Sequence, residues 1–263
     1  MHPPLPKSYK GVFPFKIASP SYIYPDNFVQ NVEMLAPYLD EIELILFESS
    51  PESLPSIKVI KKLVWLAEEF DITYNVHLPI DIYLADHDQT KRDYAVDTVK
   101  KVIDLTSSLS PSTHTLHLEC KESSLANEPL KKWQEIICSS MDRLIPHWLK
   151  GENISIETLM YPFAWVDEII ARFNLSVCLD VGHLILQKSE LEPIFEQYAQ
   201  KTPIIHLHGV ENKQAHLSLD RISKKNMGPI MRILERYTGV VSLEVFSYHH
   251  LKNSLNFLEK SWH

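Results

Sequence analysis

The chain has 263 residues, close to the roughly 250 of one eightfold β/α barrel, and its 44% hydrophobic and 23% charged composition is that of an ordinary globular protein. Its 26 basic and 34 acidic residues give a formal charge of −8, which repels phosphate backbones and counts against a nucleic-acid partner. No run of about 18 apolar residues occurs, so no membrane-spanning helix is expected.

The first 15 residues carry prolines and lysines without an apolar stretch, so no secretory signal is expected and the protein is assigned to the cytoplasm. From there, β-rich runs alternate eight times with amphipathic segments. Strands are predicted over 15–20, 42–47, 73–79, 113–119, 153–158, 175–180, 203–208 and 240–246. Most are rich in Ile, Val, Leu or Thr, the near-continuous apolar character of parallel strands covered by helices. Helices are predicted over 26–39, 57–70, 89–109, 128–149, 162–173, 190–200, 221–237 and 251–262. The first begins at Pro25-Asp26, a cap and first turn. The second carries Ile57, Ile60, Leu63, Val64 and Ala67 on one face.

This alternation implies an α/β fold, a single (β/α)8 TIM barrel occupying residues 1–263, with no linker polar enough to divide it. The competing open doubly wound sheet calls for a glycine-rich loop after the first strand. Ser19-Pro20-Ser21-Tyr22 stands there instead, and the chain has 6 glycines in all. Cys120, Cys138 and Cys178 form no Cys-x-x-Cys pair, which argues against a disulfide framework or a thiolate zinc site.

The 13 histidines are the one unusual feature of composition. Active sites of such barrels are built at the C-terminal ends of the strands. Strand three ends in Asn75-Val76-His77, strand four in His117-Leu118-Glu119 and strand five in Ser155-Ile156-Glu157. Strand six ends in Asp180-Val181-Gly182-His183, strand seven in His206-Leu207-His208 and strand eight in Leu243-Glu244. Ionisable groups in a barrel mouth cost free energy unless paired or bound to a cation. No Lys or Arg falls at these positions, so a structural ion pair lacks its partner. Imidazole and carboxylate without thiolate suit divalent zinc, manganese or iron, and two ions about 3.5–4 Å apart could clamp an in-line displacement at phosphorus. Gly182 would allow a tight turn that returns His183 over the mouth.

Each group also has an ordinary reading. His77 or His117 alone is commonly a hydrogen-bonded core or surface residue, and Glu157 and Glu244 could fill the barrel. His206 and His208 share a strand face; His206 is favoured as a ligand, with His208 facing substrate or supporting a ligand. His216 could be a further ligand or a phosphate contact. His2, His87, His114, His147, His249, His250 and His263 read as surface residues.

The strand ends resemble the xylose-isomerase-like barrel superfamily, which includes type IV apurinic endonucleases and sugar epimerases. The resemblance covers nearly the whole chain. It implies that Glu157, Asp180, His206 and Glu244 form a shared metal quartet, that His183 is the histidine after the strand-six Asp, and that His77 and His117 are the extra histidines of an endonuclease-type polymetal site. Where such sites have an Asp two residues before the loop His, this chain has Gln214, so a third ion is not implied. Longer strings look like the cobamide-remodelling phosphodiesterases of the CbiR type. They are Ser21-Tyr22-Ile23-Tyr24-Pro25, Glu43-Leu44-Ile45-Leu46-Phe47-Glu48-Ser49, Val76-His77-Leu78-Pro79-Ile80-Asp81, Cys178-Leu179-Asp180-Val181-Gly182-His183, His206-Leu207-His208-Gly209-Val210 and Leu243-Glu244-Val245-Phe246-Ser247.

That likeness implies hydrolysis of the nucleotide-loop phosphodiester of a vitamin B12-like cobamide, a corrinoid, by a divalent-metal enzyme using zinc or manganese. The expected metal ligands are His77, His117, Glu157, Asp180, His183, His206, His216 and Glu244, and the expected catalytic groups are Glu157, Glu244, His183 and His208. Tyr22, Tyr24, Phe47 and Phe246 either wall the mouth for a large ring or belong to the core. The alternative is a sugar isomerase or epimerase, in which Glu157 and Glu244 shuttle a proton beside one ion. A non-catalytic binding protein and an apurinic endonuclease complete the field, the latter disfavoured by charge.

Overall fold

The computed structural model describes residues 2–120, 126–145 and 149–262. Its barrel strands are β1 (Lys16–Pro20), β2 (Glu41–Ile45), β3 (Thr73–His77), β4 (His114–Leu116), β5 (Ile154–Glu157), β6 (Ser176–Asp180) and β7 (Ile204–Leu207), followed by β10 (Val240–Leu243). They are parallel and close in the order β1-β10-β7-β6-β5-β4-β3-β2. Between β7 and β10 the chain adds an antiparallel hairpin, β8 (Gly209–Glu211) and β9 (Gln214–Leu217). The helices are α1 (Phe28–Leu35), α2 (Ile57–Phe70), α3 (Gln89–Thr106), α4 (Asn127–Leu144), α5 (Asp167–Phe173), α6 (Val181–Leu186), α7 (Leu191–Tyr198), α8 (Lys224–Leu234) and α9 (Tyr248–Trp262). None of the described helices is long and apolar enough to cross a membrane.

The single-barrel expectation holds, with shorter elements. β4 ends at Leu116, so His117 and Glu119 stand beyond it. Asn27, not Asp26, caps α1, accepting a hydrogen bond from the Gln30 amide. In α2 the buried stripe is Ile60, Leu63 and Leu66, while Ile57 is 68% exposed. Ile57 is the first residue of the helix.

The main core lies between strands and helices. Inside the barrel, Ala18, Cys178, Ile204 and Val240 form a separate buried apolar cluster. By the period of two, Cys178 shares a strand face with Asp180, Ile204 with His206, and Val240 with Ser242. This plug therefore floors the layer from which the polar strand ends rise. His114 departs from its surface assignment: it is buried, with Nε2 3.1 Å from Thr106 Oγ1. His147 and His263 lie outside the described residues.

Candidate metal centre

Glu157 stands at the centre of the mouth and is fully buried. Its Oε2 is 3.1 Å from His77 Nε2 and 2.9 Å from His117 Nε2. The far nitrogens of both rings are committed. His77 Nδ1 lies 3.0 Å from the Leu78 carbonyl and His117 Nδ1 3.2 Å from Glu119 Oε1. Leu78 O and Glu119 Oε1 accept only, so Nδ1 of each ring donates there and Nε2 is the nitrogen turned to the carboxylate. A ring nitrogen this close to a carboxylate oxygen requires a proton or a metal cation between them. Burial opposes charge on His117, yet Glu157 and Glu119 push its pKa up to about 10. Burial likewise opposes charge on Glu157, but His117 and His206 outweigh it and hold the carboxyl well below the usual range.

Around Glu157 also stand Asp180, His206 and Glu244, and His77, Glu157 and His206 form a ligand group of their own. One ligand atom from each of Glu157, Asp180, His206 and Glu244 lies within 4.8 Å of all the others. Bonds of about 2.1 Å place neighbouring ligand atoms about 3 Å apart and opposite ones about 4 Å apart. His206 Nδ1 is 3.4 Å from Glu244 Oε2 and 3.8 Å from Glu157 Oε2. His206 Nδ1 and Glu244 Oε2 are both buried without a hydrogen-bond partner. Every group within ion-pair distance of Glu157, Asp180 or Glu244 among the described residues is a histidine. Orphaned donors and acceptors, an oxygen and nitrogen donor set and no permanent cation together fit a divalent ion.

Asp180 also caps α6, its Oδ1 accepting from the His183 amide at 2.6 Å. This helix brings His183 back over the mouth, where its Nδ1 donates to the Thr158 carbonyl at 3.0 Å. His216 Nδ1 is fixed by the Glu244 carbonyl at 3.1 Å. Their Nε2 atoms are the free ones, and the ring centroids are 6.2 Å apart. His208 is tied at both nitrogens: Nδ1 accepts from the His216 amide at 2.9 Å, and Nε2 faces Asp180 Oδ2 at 3.3 Å. The first contact requires a lone pair on Nδ1, so the proton sits on Nε2, pointing at Asp180. His183, His208 and His216 form a further group with ligand spacing.

Gly182 serves a different purpose from a turn. It sits inside α6 with an ordinary helical backbone, and a Cβ there would lie 1.9 Å from His208 Cε1. Glycine is needed so that the His208 ring can lie against α6. All eight expected ligands thus converge, with His208 among them. Two further carboxylates join the site: Glu119, at the end of strand four but given no role there, against His117, and Glu43 of β2, 2.9 Å from His206 Nε2. Glu43 stands out as the one acidic residue of the predicted strand Ile42-Glu43-Leu44-Ile45-Leu46-Phe47.

Of the four mouth aromatics, three form a row. His216 meets Phe246 at 5.0 Å, Phe246 meets Phe47 at 5.7 Å, and Phe47 meets Tyr22 at 5.4 Å. Tyr22 is 52% exposed at the outer end. Tyr24 is buried elsewhere, stacked between His2 and Tyr248.

The family model described as xylose isomerase-like TIM barrel matches residues 32–261. The chain belongs to the xylose isomerase-like TIM barrel family. No curated protein matches it in sequence. Among solved structures, a D-tagatose 3-epimerase-like protein superposes with a TM-score of 0.74 at 16% identity, covering 94% of this chain and 97% of that one. The 3-keto-D-glucoside 4-epimerase from E. coli gives 0.70 at 11% identity over 94% and 99%. A protein named IOLI, solved with a bound zinc atom, gives 0.66 at 16% over 94% and 95%. At these identities the likeness establishes the fold of this xylose isomerase-like barrel.

Proposed function

We propose that this barrel is a metal-dependent phosphodiester hydrolase acting on a bulky small molecule, with a cobamide-type corrinoid as the substrate class suggested by sequence resemblance. The observation that carries the reading is the double approach to Glu157. His77 and His117 turn Nε2 to its Oε2, and Glu157 belongs both to a ligand group with His77 and His206 and to one with Asp180, His206 and Glu244. A carboxylate shared between two donor groups is the arrangement that a pair of ions needs, and two ions serve displacement at phosphorus. Such ions would supply Lewis-acid polarisation of a phosphoryl oxygen and activation of water. The chain's own residues would hold and orient. Glu157 and Glu244 would neutralise the cations and keep them apart, and the free Nε2 atoms of His183 and His216 would bind, or pass a proton to, the reacting group. The row from His216 to Tyr22 would offer a flat apolar wall to a large ring.

The second reading is a sugar epimerase, and the comparisons favour it, since the similar structures are mostly epimerases of ketoses or keto-sugars. In that case Glu157 and Glu244 would stand on either side of a sugar carbon beside one ion and exchange its proton. The deciding experiment loads the protein with Mn²⁺ or Zn²⁺ and offers an adenosylated cobamide and a panel of ketoses. Release of the lower-base nucleoside, read by mass, is the expected result. Ketose epimerisation with no cobamide cleavage would replace the hydrolase with the epimerase.

A further inference from the structure

Glu43 belongs to none of the ligand groups, yet it is the carboxylate nearest to His206: its Oε1 is 2.9 Å from Nε2, against 3.4 Å for Glu244 and 3.8 Å for Glu157 at Nδ1. We propose that Glu43 is the positioning residue of the metal centre, holding the His206 proton on Nε2 so that the Nδ1 lone pair points into the space enclosed by Glu157, Asp180 and Glu244.

The ring has one carboxylate on one side and two on the other, and only one nitrogen of a neutral imidazole carries a proton. With the proton on Nε2, the N–H dipole meets Glu43 and the lone pair is left for a cation. With the proton on Nδ1, a bare nitrogen would face the Glu43 oxygen at 2.9 Å in a fully buried layer, and the ligand atom would be blocked. Glu43 is itself held in place. Ser242 Oγ donates to its Oε2 at 2.5 Å, and Ser242 is paired in register with His206 across β10 and β7. One serine thus ties the carboxylate to the strand that carries the histidine. Glu43 and His206 are both fully buried, and among the described residues no Lys or Arg pairs with Glu43. The contact lies off the line of a hydrogen bond, leaving Glu43 Oε1 and both ring nitrogens without such partners. It therefore acts as an electrostatic bias on the proton. A carboxylate behind a ligating imidazole also makes the ring a stronger donor, and removing such a partner weakens metal affinity roughly 10–100-fold.

The inference rests on the metal reading of the quartet and is independent of whether the reaction is hydrolysis or epimerisation. Its test is zinc affinity by competition with a chromophoric chelator, for the parent, Glu43→Gln and Ser242→Ala, beside thermal unfolding of each metal-free protein. Glu43→Gln keeps the shape and removes the charge. It is expected to weaken zinc binding at least tenfold while the metal-free protein still unfolds cooperatively near the parent temperature. Nitrogen-15 NMR of the zinc-loaded parent is expected to show the His206 proton on Nε2. Zinc affinity within twofold of the parent, or a proton on Nδ1, overturns the proposal. Should Glu43→Gln fail to fold, Ser242→Ala releases the carboxylate without removing its charge. A several-fold loss of affinity there supports the proposal, and no change overturns it. A parent that binds no zinc removes the quartet reading as well, whereas a parent and variant that bind equally remove only the role of Glu43.

Discussion

His77 and His117 decide between the two reactions because both turn Nε2 to Glu157 while lying outside the Asp180, His206 and Glu244 group. Each Nδ1 donates to a fixed acceptor, so each Nε2 is committed to the Glu157 side of the mouth. In a two-ion hydrolase, His77→Ala removes a ligand and is expected to cost roughly 100-fold in turnover, with a matching loss of metal by elemental analysis. In a one-ion epimerase the quartet stays complete, and the same variant keeps metal and most of its ketose turnover. His114 supports a second prediction. Burial lowers its pKa to about 4, against a small opposing effect from the Asn153 backbone. The folded protein therefore holds His114 neutral, while the unfolded chain takes up a proton below about 6.5, so stability falls as the pH drops through the window from 6.5 to 4. Between pH 7 and pH 5 the parent should lose about 2 kcal/mol more than His114→Gln in urea unfolding. Parallel losses in the two proteins would show that the buried imidazole contributes nothing. The convergence of the mouth side chains was legible because a strand end in a barrel points at one place. The burial of His114 was not, because a strand start shows no sign of whether the adjoining helix end, here Thr106, covers it, and the role of Glu43 was not, because it depends on His206 and Ser242, far away in sequence.

At the scale of elements, alternation located all eight barrel strands, since each buried run has apolar residues on both faces. The sequence reading merged two pieces into loops. α6 is six residues long, too short to show a periodicity, and Asp180 acts at once as its cap and as a quartet member. The β8–β9 hairpin turns at Asn212 and Lys213, with φ of 52° and 66°, the left-handed pair of a tight hairpin without a glycine to announce it. His216 in β9 has φ 55°, a conformation that costs a non-glycine residue on the order of 1–2 kcal/mol. That strain is offset where its amide reaches His208 and its ring the Glu244 carbonyl. The hairpin and α6 therefore meet through His208, and Gly182 makes the room. Gly182→Ala is expected to destabilise the fold by about 1–3 kcal/mol through overpacking, and to lower activity by displacing the ring from Asp180. His208→Ala opens the space, so the double variant should be no less stable than His208→Ala alone. If thermal unfolding shows the two losses simply adding, the close approach is not the reason for the glycine.

Over the whole molecule, every barrel strand except β1 sends a residue to the site or to its support: Glu43, His77, Glu157, Asp180, His206 and Glu244 from within or just after their strands, and His117 just beyond β4. The fold was legible because closure follows from strand count and right-handed crossovers. The substrate was not, because it is met by loops whose course the alternation leaves open, as with Tyr24, which turns into the core while Tyr22 stays at the mouth. A ring of acids and imidazoles drawn from seven strands is held together by whatever cation it contains, so metal should stabilise the barrel as a whole. A ligand at 100 times its dissociation constant adds about 2.7 kcal/mol to the folded state. For a domain of this size that corresponds to a rise in Tm of roughly 5–10 °C. Thermal unfolding in excess Zn²⁺ and after removal of the metal with a chelator should show this shift in the parent. His206→Ala, which removes one donor of the quartet without touching the helices outside, should lose most of it. A parent whose Tm ignores both zinc and chelator would mean that the barrel is held by protons between its histidines and carboxylates, and that the site is not a metal centre.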